Sequence, residues 1–363
     1  MGVGAAGGAV AALLGLPVPW LIGPMLAGLA VKLRLRWELR VPVLLLSAAQ
    51  VTVGLAVGLS FSVQTLIDLG AYLPAVLGVL LATTALSLAN GYLLARWTGI
   101  DPSSGLLGCI PGAASAMVAA ADRVGADPRT VAVLQYVRLL LILAVVPAAA
   151  AAWAGPPGDG VDWPHDGTRG SELLAEEGGA GGQGDGAGWL IQGALIALMG
   201  AGGAYLARRA RLASPNVLGP MLAATAAKAA LGFAPALPGP VFNAAVGVIG
   251  LSVGLRFDGP TLRALRRVVA VETALLLGLL LGSALLAYGL HLLTGIDVLT
   301  AMLGNVPGAL EAIVAAAVEL GAQVPIVAAM QTVRSVALLC LGPLIVSALR
   351  APARAPKRAT PSR

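Results

Sequence analysis

The sequence predicts an all-α integral membrane protein of two inverted repeats, with about ten spanning helices and two Pro-Gly-broken helices that are re-entrant or discontinuous. Three observations carry this expectation. The 363 residues are 58% hydrophobic and only 11% charged, against roughly a quarter charged in an average soluble domain. The chain matches itself at an offset of 196 positions. Strongly basic loops of one half correspond to nearly uncharged loops of the other.

Mean hydropathy is +0.88, and apolar runs recur along nearly the whole length. A secretory signal would instead give one short run followed by soluble sequence. The two cysteines, Cys109 and Cys340, each lie in an apolar segment and say little about redox compartment. Aromatics make up 4%, whereas 48 glycines and abundant alanine point to helices that approach through small-residue faces. The net charge of +6 hides a division. Residues 155 to 188 hold Asp159, Asp162, Asp166, Glu172, Glu176, Glu177 and Asp185 against Arg169, a net −6, so the remainder carries +12. On a membrane chain such a basic balance marks cytoplasmic loops, and no direct nucleic-acid partner is expected.

The self-match needs no gap. Gly23-Pro24-Met25-Leu26 returns as Gly219-Pro220-Met221-Leu222, and Val57-Gly58-Leu59 as Val253-Gly254-Leu255. Thr98-Gly99-Ile100-Asp101 returns as Thr294-Gly295-Ile296-Asp297. From 98 to 138, 21 of 41 positions are identical to their counterparts, more than shared apolar composition readily produces. The expected organisation is a membrane repeat over 1–153, a solvated Gly/acid-rich linker over 154–188, a second repeat over 189–349 and a basic tail over 350–363.

Each half shows six apolar segments, in the second at 189–207, 215–231, 238–255, 268–290, 298–318 and 325–348. The first segment of the first half is expected to be short, because Met1 aligns with Ala197, leaving about 16 residues or ~24 Å of helix. Lys32, Arg34, Arg36 and Arg40 face only Lys228 in the equivalent loop, while Arg256, Arg263, Arg266 and Arg267 correspond to a stretch whose one charge is Asp68. Basic loops face the cytoplasm, so equivalent loops should lie on opposite sides. Inversion requires an odd number of crossings per half. The fifth segment, at 103–121 and 299–317, is the best candidate to enter and return on one side, because Pro-Gly interrupts both copies. The linker is then outside and the tail cytoplasmic, in a cell inner membrane; a broken helix that spans here instead, with the re-entrant element elsewhere, is the alternative.

At Pro111-Gly112 and Pro307-Gly308 the proline removes a backbone donor and the glycine loosens the helix, freeing carbonyls and amides as ligands. Paired breaks of this kind point to a central binding region or to kinks that packing requires. Arg138 and Arg334 lie ten and nine residues beyond Pro128 and Pro325, near ~15 Å depth, with Gln135 and Gln331 one turn earlier on the same face. A buried arginine there costs roughly 2.5 kcal/mol or more and faces a partner or a wet cavity. Glu311 is the obvious partner of Arg334, although its counterpart Ser115 is neutral; Arg138 is left with Asp122, Glu311 or an anionic substrate. A structural ion pair between the halves is the competing reading.

Asn305, opposite Cys109, is a candidate polar ligand at the second break. Asp101 and Asp297 read as helix N-caps and Glu272 as a snorkelling residue near a helix end. The only histidines are His165 and His291, without a cysteine or carboxylate cluster, so no metal site and no cofactor is expected. Nor is there a Walker loop, nucleophile elbow or dinucleotide fingerprint, and the chain is not expected to be an enzyme.

LPVPWLIGPMLAGLA (16–30), GCIPGAASAMVAAADRVGADPRTVAVLQYVRLLLI (108–142) and NVPGALEAIVAAAVELGAQVPIVAAMQTVRSVALL (305–339) resemble the AbrB-type membrane protein family across both halves. That family carries two labels, regulator of gene expression and ammonia monooxygenase. It is distinct from the small soluble DNA-binding regulator of the same name. Its architecture is similar to that of cation/proton antiporters and anion transporters, which implies inverted five-helix repeats with crossing broken helices. The function expected is ion-coupled transport of a small solute or ion, anionic groups included. Pro111, Gly112, Ser115, Pro307, Gly308 and Glu311 would line the site, and Gln135, Arg138, Asn305, Gln331 and Arg334 would complete it. Indirect regulation of gene expression is the alternative, and a monooxygenase the third reading. The partners are the lipid bilayer and the solute; a homo-oligomer is compatible with the sequence.

Overall fold

The computed structural model describes residues 2–16, 18–35, 39–60, 63–110, 117, 121, 124–154, 186–210, 212, 214–231, 237–257, 259–308, 310–334 and 337. The linker core, the tail, Pro111, Gly112, Ser115 and Asp122 lie outside them, as does the side chain of Glu311. Among the described residues the regular structure is entirely helical. A chain this apolar must satisfy its backbone internally, which helices do segment by segment.

The first half contains α1 (Gly2–Leu13), α2 (Pro19–Ala30), α3 (Val43–Ser60), α4 (Val63–Thr98), α5 (Pro102–Cys109) and α6 (Pro128–Ala154). The second contains α7 (Gly186–Arg209), α8 (Pro215–Leu231), α9 (Gly239–Gly254), the short α10 (Gly259–Ala264), α11 (Arg266–Thr294), α12 (Val298–Asn305), α13 (Leu310–Glu319) and α14 (residues 324–334). Among the described residues three helical stretches are long and apolar enough to cross a membrane: Tyr72–Thr98 of α4, Pro128–Val146 of α6 and all of α11. Only 28% of the most apolar window of α4 and of α11 is buried within the protein. Leu81, Trp97, Leu281, Leu285, Leu292 and Leu293 are more than half exposed, an apolar surface that suits lipid contact.

Glycines decide which helices touch. In α1 and α2, Gly7 and Gly23 meet so closely that a Cβ on either would strike the other's carbonyl, and Gly203 and Gly219 repeat the contact between α7 and α8. Between the halves the pairing is reciprocal. Gly54 of α3 abuts the Val217 carbonyl of α8, and Gly250 of α9 abuts the Leu21 carbonyl of α2. Gly58 and Gly254 likewise meet the carbonyls of Met221 and Met25. Each contact becomes the other when both residues are moved to their counterparts, the pattern of a two-fold relation. Lys228, the lone basic residue of its loop, donates to the Leu59 carbonyl while Thr225 Oγ1 reaches the Gly58 carbonyl at 3.1 Å, so together they cap α3.

The fifth segment is broken where its sequence predicts. α5 and α12 have 8 residues each, about 12 Å of helix, and end at Ile110 and Val306 in extended conformation, as a following proline demands. Asp101 and Asp297 cap their starts, accepting from the amides of Ser104 and Thr300 at 3.0 Å. The hydroxyls of those two residues accept in turn from the amides of Asp127 (2.8 Å) and Gln323 (2.9 Å). The chain has therefore come back, after the break, to the end at which each half-helix began. In the second half α13 is the returning arm.

Asp127 then starts α6, its carboxylate accepting from the Arg129 and Thr130 amides at 3.2 and 3.1 Å and from the Thr130 hydroxyl at 2.5 Å. The Thr130 hydroxyl above all, helped by these amides, holds its pKa below the ordinary 3.8. Asp127→Ala should cost about 1 kcal/mol. Because the folded pKa is the lower one, the cap's contribution is complete above the unfolded value and fades as pH falls through the folded one. Melting of wild type and variant should thus differ by a constant amount at neutral pH and converge below about pH 4.

Candidate functional site

α6 and α14 each start beside the first turn of a half-helix, at Ser104 and Thr300, and run along it. Side chains seven and ten residues into them therefore reach its far end. Gln135 Nε2 donates to the carbonyls of Leu107 (2.8 Å) and Ile110 (3.1 Å). Arg138 donates to the Cys109 carbonyl (2.8 Å) and to Gln135 Oε1 (2.7 Å). In the second half Gln331 Nε2 donates to the carbonyls of Leu303 (2.9 Å), Gly304 (3.3 Å) and Val306 (3.1 Å). Arg334 donates to the Asn305 carbonyl (3.0 Å) and to Gln331 Oε1. Apart from the added Gly304 contact, the two sets correspond bond for bond.

The physical reason lies in the broken helices. A helix that stops at mid-depth leaves its last carbonyls without intrahelical donors and presents the negative end of its dipole. A glutamine supplies two N–H groups and an arginine supplies charge where the dipole favours it. The four side chains are at most 4% exposed. Sequence reasoning found all four and offered the arginines a carboxylate or an anionic substrate as partner. Asp122 and the Glu311 side chain lie outside the described residues; among the described residues Arg138 and Arg334 are held by backbone carbonyls and glutamine oxygens.

Arg138 and Arg334 are within electrostatic range of each other. At the second break Pro307 is buried and Gly308 half-buried. A Cβ built on Gly308 would lie 3.5 Å from Ile142 Cγ2, one turn beyond Arg138 on α6. The tip of the second hairpin thus rests on the helix that caps the first. Among the described residues each guanidinium uses two of its five N–H groups on these bonds.

Asn305 is fully buried and ties three helices together. Its amide donates to the Ser283 carbonyl of α11 at 2.9 Å, and its carbonyl accepts from Thr83 of α4 at 2.7 Å. Its counterpart Cys109 lies 3.4 Å from Glu272 Oε2, and Glu272 is itself fully buried. The snorkelling expected for Glu272 is therefore wrong. Its helix packs against α4 and α6, and Cys109 of α5 meets the carboxyl. One signal in the sequence could have found it, since its counterpart in the first half is Val76, itself fully buried.

Among the described residues no three His, Cys, Asp or Glu side chains gather to hold a metal. His291 Nδ1 instead lies 2.7 Å from the Ile296 carbonyl. The family model described as “Transition state regulatory protein AbrB” matches residues 20–350. The chain belongs to the AbrB family. It is 31% identical over 339 residues to “Putative regulator AbrB” of Escherichia coli (strain K12), covering 91% of this chain and 89% of that one. It is 28% identical over 152 residues to “Uncharacterized protein YhjN” of Bacillus subtilis (strain 168), 40% of each chain. The first of these AbrB similarities spans both capped half-helices.

Proposed function

We propose that this AbrB-family chain is an ion-coupled secondary transporter of a small solute bearing an anionic group, with the two hairpin tips as its binding region. The observation that carries the reading is the pair of buried Gln-x-x-Arg caps, which bind the ends of two broken helices and set two guanidiniums within electrostatic range of each other. Broken helices whose freed backbone groups meet at the bilayer midplane are how many secondary transporters bind their cargo. Pro307, Gly308 and Glu311, with Pro111, Gly112 and Ser115 of the first half, line the site in this reading, and neither a metal nor a cofactor takes part.

The architecture proposed is two membrane repeats, 1–153 and 189–349, of five crossings and one re-entrant hairpin each. The reciprocal glycine contacts supply the two-fold relation and the basic loops its direction, with the axis in the membrane plane. The 154–188 linker is then outside and the tail cytoplasmic in a cell inner membrane. Trp37→Cys and Phe233→Cys, placed singly in a chain with both native cysteines replaced, should label with an impermeant maleimide from opposite sides of the membrane. Labelling from the same side would rule out inversion.

The transport reading is tested by thermal-shift screening of purified protein against small anions and amines, followed by uptake of the hits into proteoliposomes. A ligand present at about 100 times its Kd should stabilise the protein by about 2.7 kcal/mol. No shift and no uptake across the screen would sink the reading. The names of the family model and of the E. coli relative favour a second one, in which the protein affects gene expression indirectly, through a partner or a transported signal. Deletion would then change transcript levels, and Arg334→Ala would leave them as in wild type.

A further inference from the structure

Glu272 is absent from the capped tips, yet it is one of the most enclosed ionisable groups in the protein. It stands six residues into α11, about 9 Å from the start of that helix, and is fully buried. Oε2 meets the thiol of Cys109 at 3.4 Å, while Oε1 has no hydrogen-bond partner among the described residues. Among the described residues the titratable or charged groups facing it are Cys109 from α5 and Arg138 from α6. From α4 the neighbour of the pair is Leu94, from α6 Leu134, and from α11 itself Val268 and Leu275, all apolar.

Residue 109 joins the two charges. Its thiol touches Glu272, and its carbonyl takes the Arg138 N–H. Arg138 is thus committed to the end of α5 and to Gln135 rather than to the carboxylate beside it. A carboxyl so enclosed cannot remain ionised without a cation at hand. A metal cation would need several oxygen ligands, whereas this cluster offers one carboxyl, a thiol and a repelling guanidinium.

We propose that Glu272 is a proton-carrying site, linked through Cys109 to the tip of the first hairpin and alternating between a neutral acid and a carboxylate paired with Arg138. In the neutral state Arg138 caps α5. On release the carboxyl O–H breaks, the proton leaves to water, and Arg138 exchanges the Cys109 carbonyl for the new carboxylate. No electron moves and no other bond is made or broken. The exchange loosens the end of α5, so proton release and hairpin movement are coupled in one step. The equivalent pair is Asn305 of the second half and Val76 of the first, so the symmetry-related position carries no such site.

This deepens the transporter reading by naming the coupling ion and rests on that reading for the coupling alone. The test is infrared difference spectroscopy of the full-length protein in lipid nanodiscs, titrated from about pH 5 to about pH 9, the range in which buried carboxyls ionise. Wild type should show a protonated-carboxyl band that disappears as pH rises, that is missing in Glu272→Gln and that persists in Glu319→Gln, which removes another carboxylate with buried, unpartnered oxygens. Arg138→Gln should move the titration to higher pH by removing the charge that stabilises the carboxylate. A band unaffected by Glu272→Gln, or a Glu272 carboxyl that keeps one protonation state throughout, would overturn the proposal. The readout needs no solute, so a protein that titrates here and transports nothing would refute the transporter reading and leave the proton site standing.

Discussion

Arg334→Ala should unfold the protein more readily by about 3 kcal/mol and abolish solute movement. The variant leaves the Asn305 carbonyl and Gln331 Oε1 without their charged donor, and an unsatisfied buried acceptor costs about 1–3 kcal/mol. Water cannot make up the loss at a residue only 3% exposed. Arg334→Lys should recover part of the stability, because one ammonium can reach one acceptor but cannot bridge two in the planar geometry of a guanidinium. Arg138→Ala should cost at least as much, since it also removes the cation near Glu272. In a double-mutant cycle Gln331→Leu and Arg334→Ala should couple by about 1 kcal/mol or more, because they share one network. Thermal denaturation in lipid nanodiscs measures these differences. If each variant melts like wild type, the caps are not what holds the broken helices.

Gly58→Leu and Gly254→Leu should each destabilise the protein by about 3 kcal/mol, at the top of the range for overpacking, because the side chain meets backbone that cannot rotate away. A Cβ on Gly58 would already lie 2.8 Å from Ala224 Cβ, and one on Gly254 would lie 2.8 Å from the Leu29 amide nitrogen. Since the Met221 and Met25 carbonyls that Gly58 and Gly254 meet are counterparts across the halves, the two variants should fail alike in yield and melting temperature. Gly78→Leu provides the contrast. That glycine is exposed on α4 with nothing within 4 Å of its Cβ position, and substitution there should leave stability within about 0.5 kcal/mol of wild type. Equal losses at all three positions would mean that approach distance does not set the effect.

Much of the candidate site was legible because duplication makes chemistry visible. A Gln-x-x-Arg that appears in both copies, in a segment where an arginine is costly, singles out the pair as candidates without any coordinates. Asp101 and Asp297 could likewise be read as caps from the residues that follow them, and each does cap its half-helix. The backbone partners of the arginines were not legible. Charge complementarity suggests a carboxylate, whereas the acceptors among the described residues include the end of a helix that the proline cuts short, a group with no side-chain identity. Glu272 was missed for a related reason. α11 is apolar around its whole circumference, so periodicity does not tell which of its residues face protein and which face lipid.

By itself the sequence determined that the chain is helical and apolar, that it is built from two copies of one pattern, and where each copy breaks. These are local properties, set by composition, by spacing and by a proline's missing amide. Only the tertiary structure decided that α3 packs on α8 while α9 packs on α2, that the broken segment doubles back beside its own start, and that Cys109 stands between Glu272 and Arg138. Such facts depend on which distant surfaces meet, and in a chain this uniformly apolar that choice rests on a few glycine-to-carbonyl approaches, whose partners lie some 160 or more residues away.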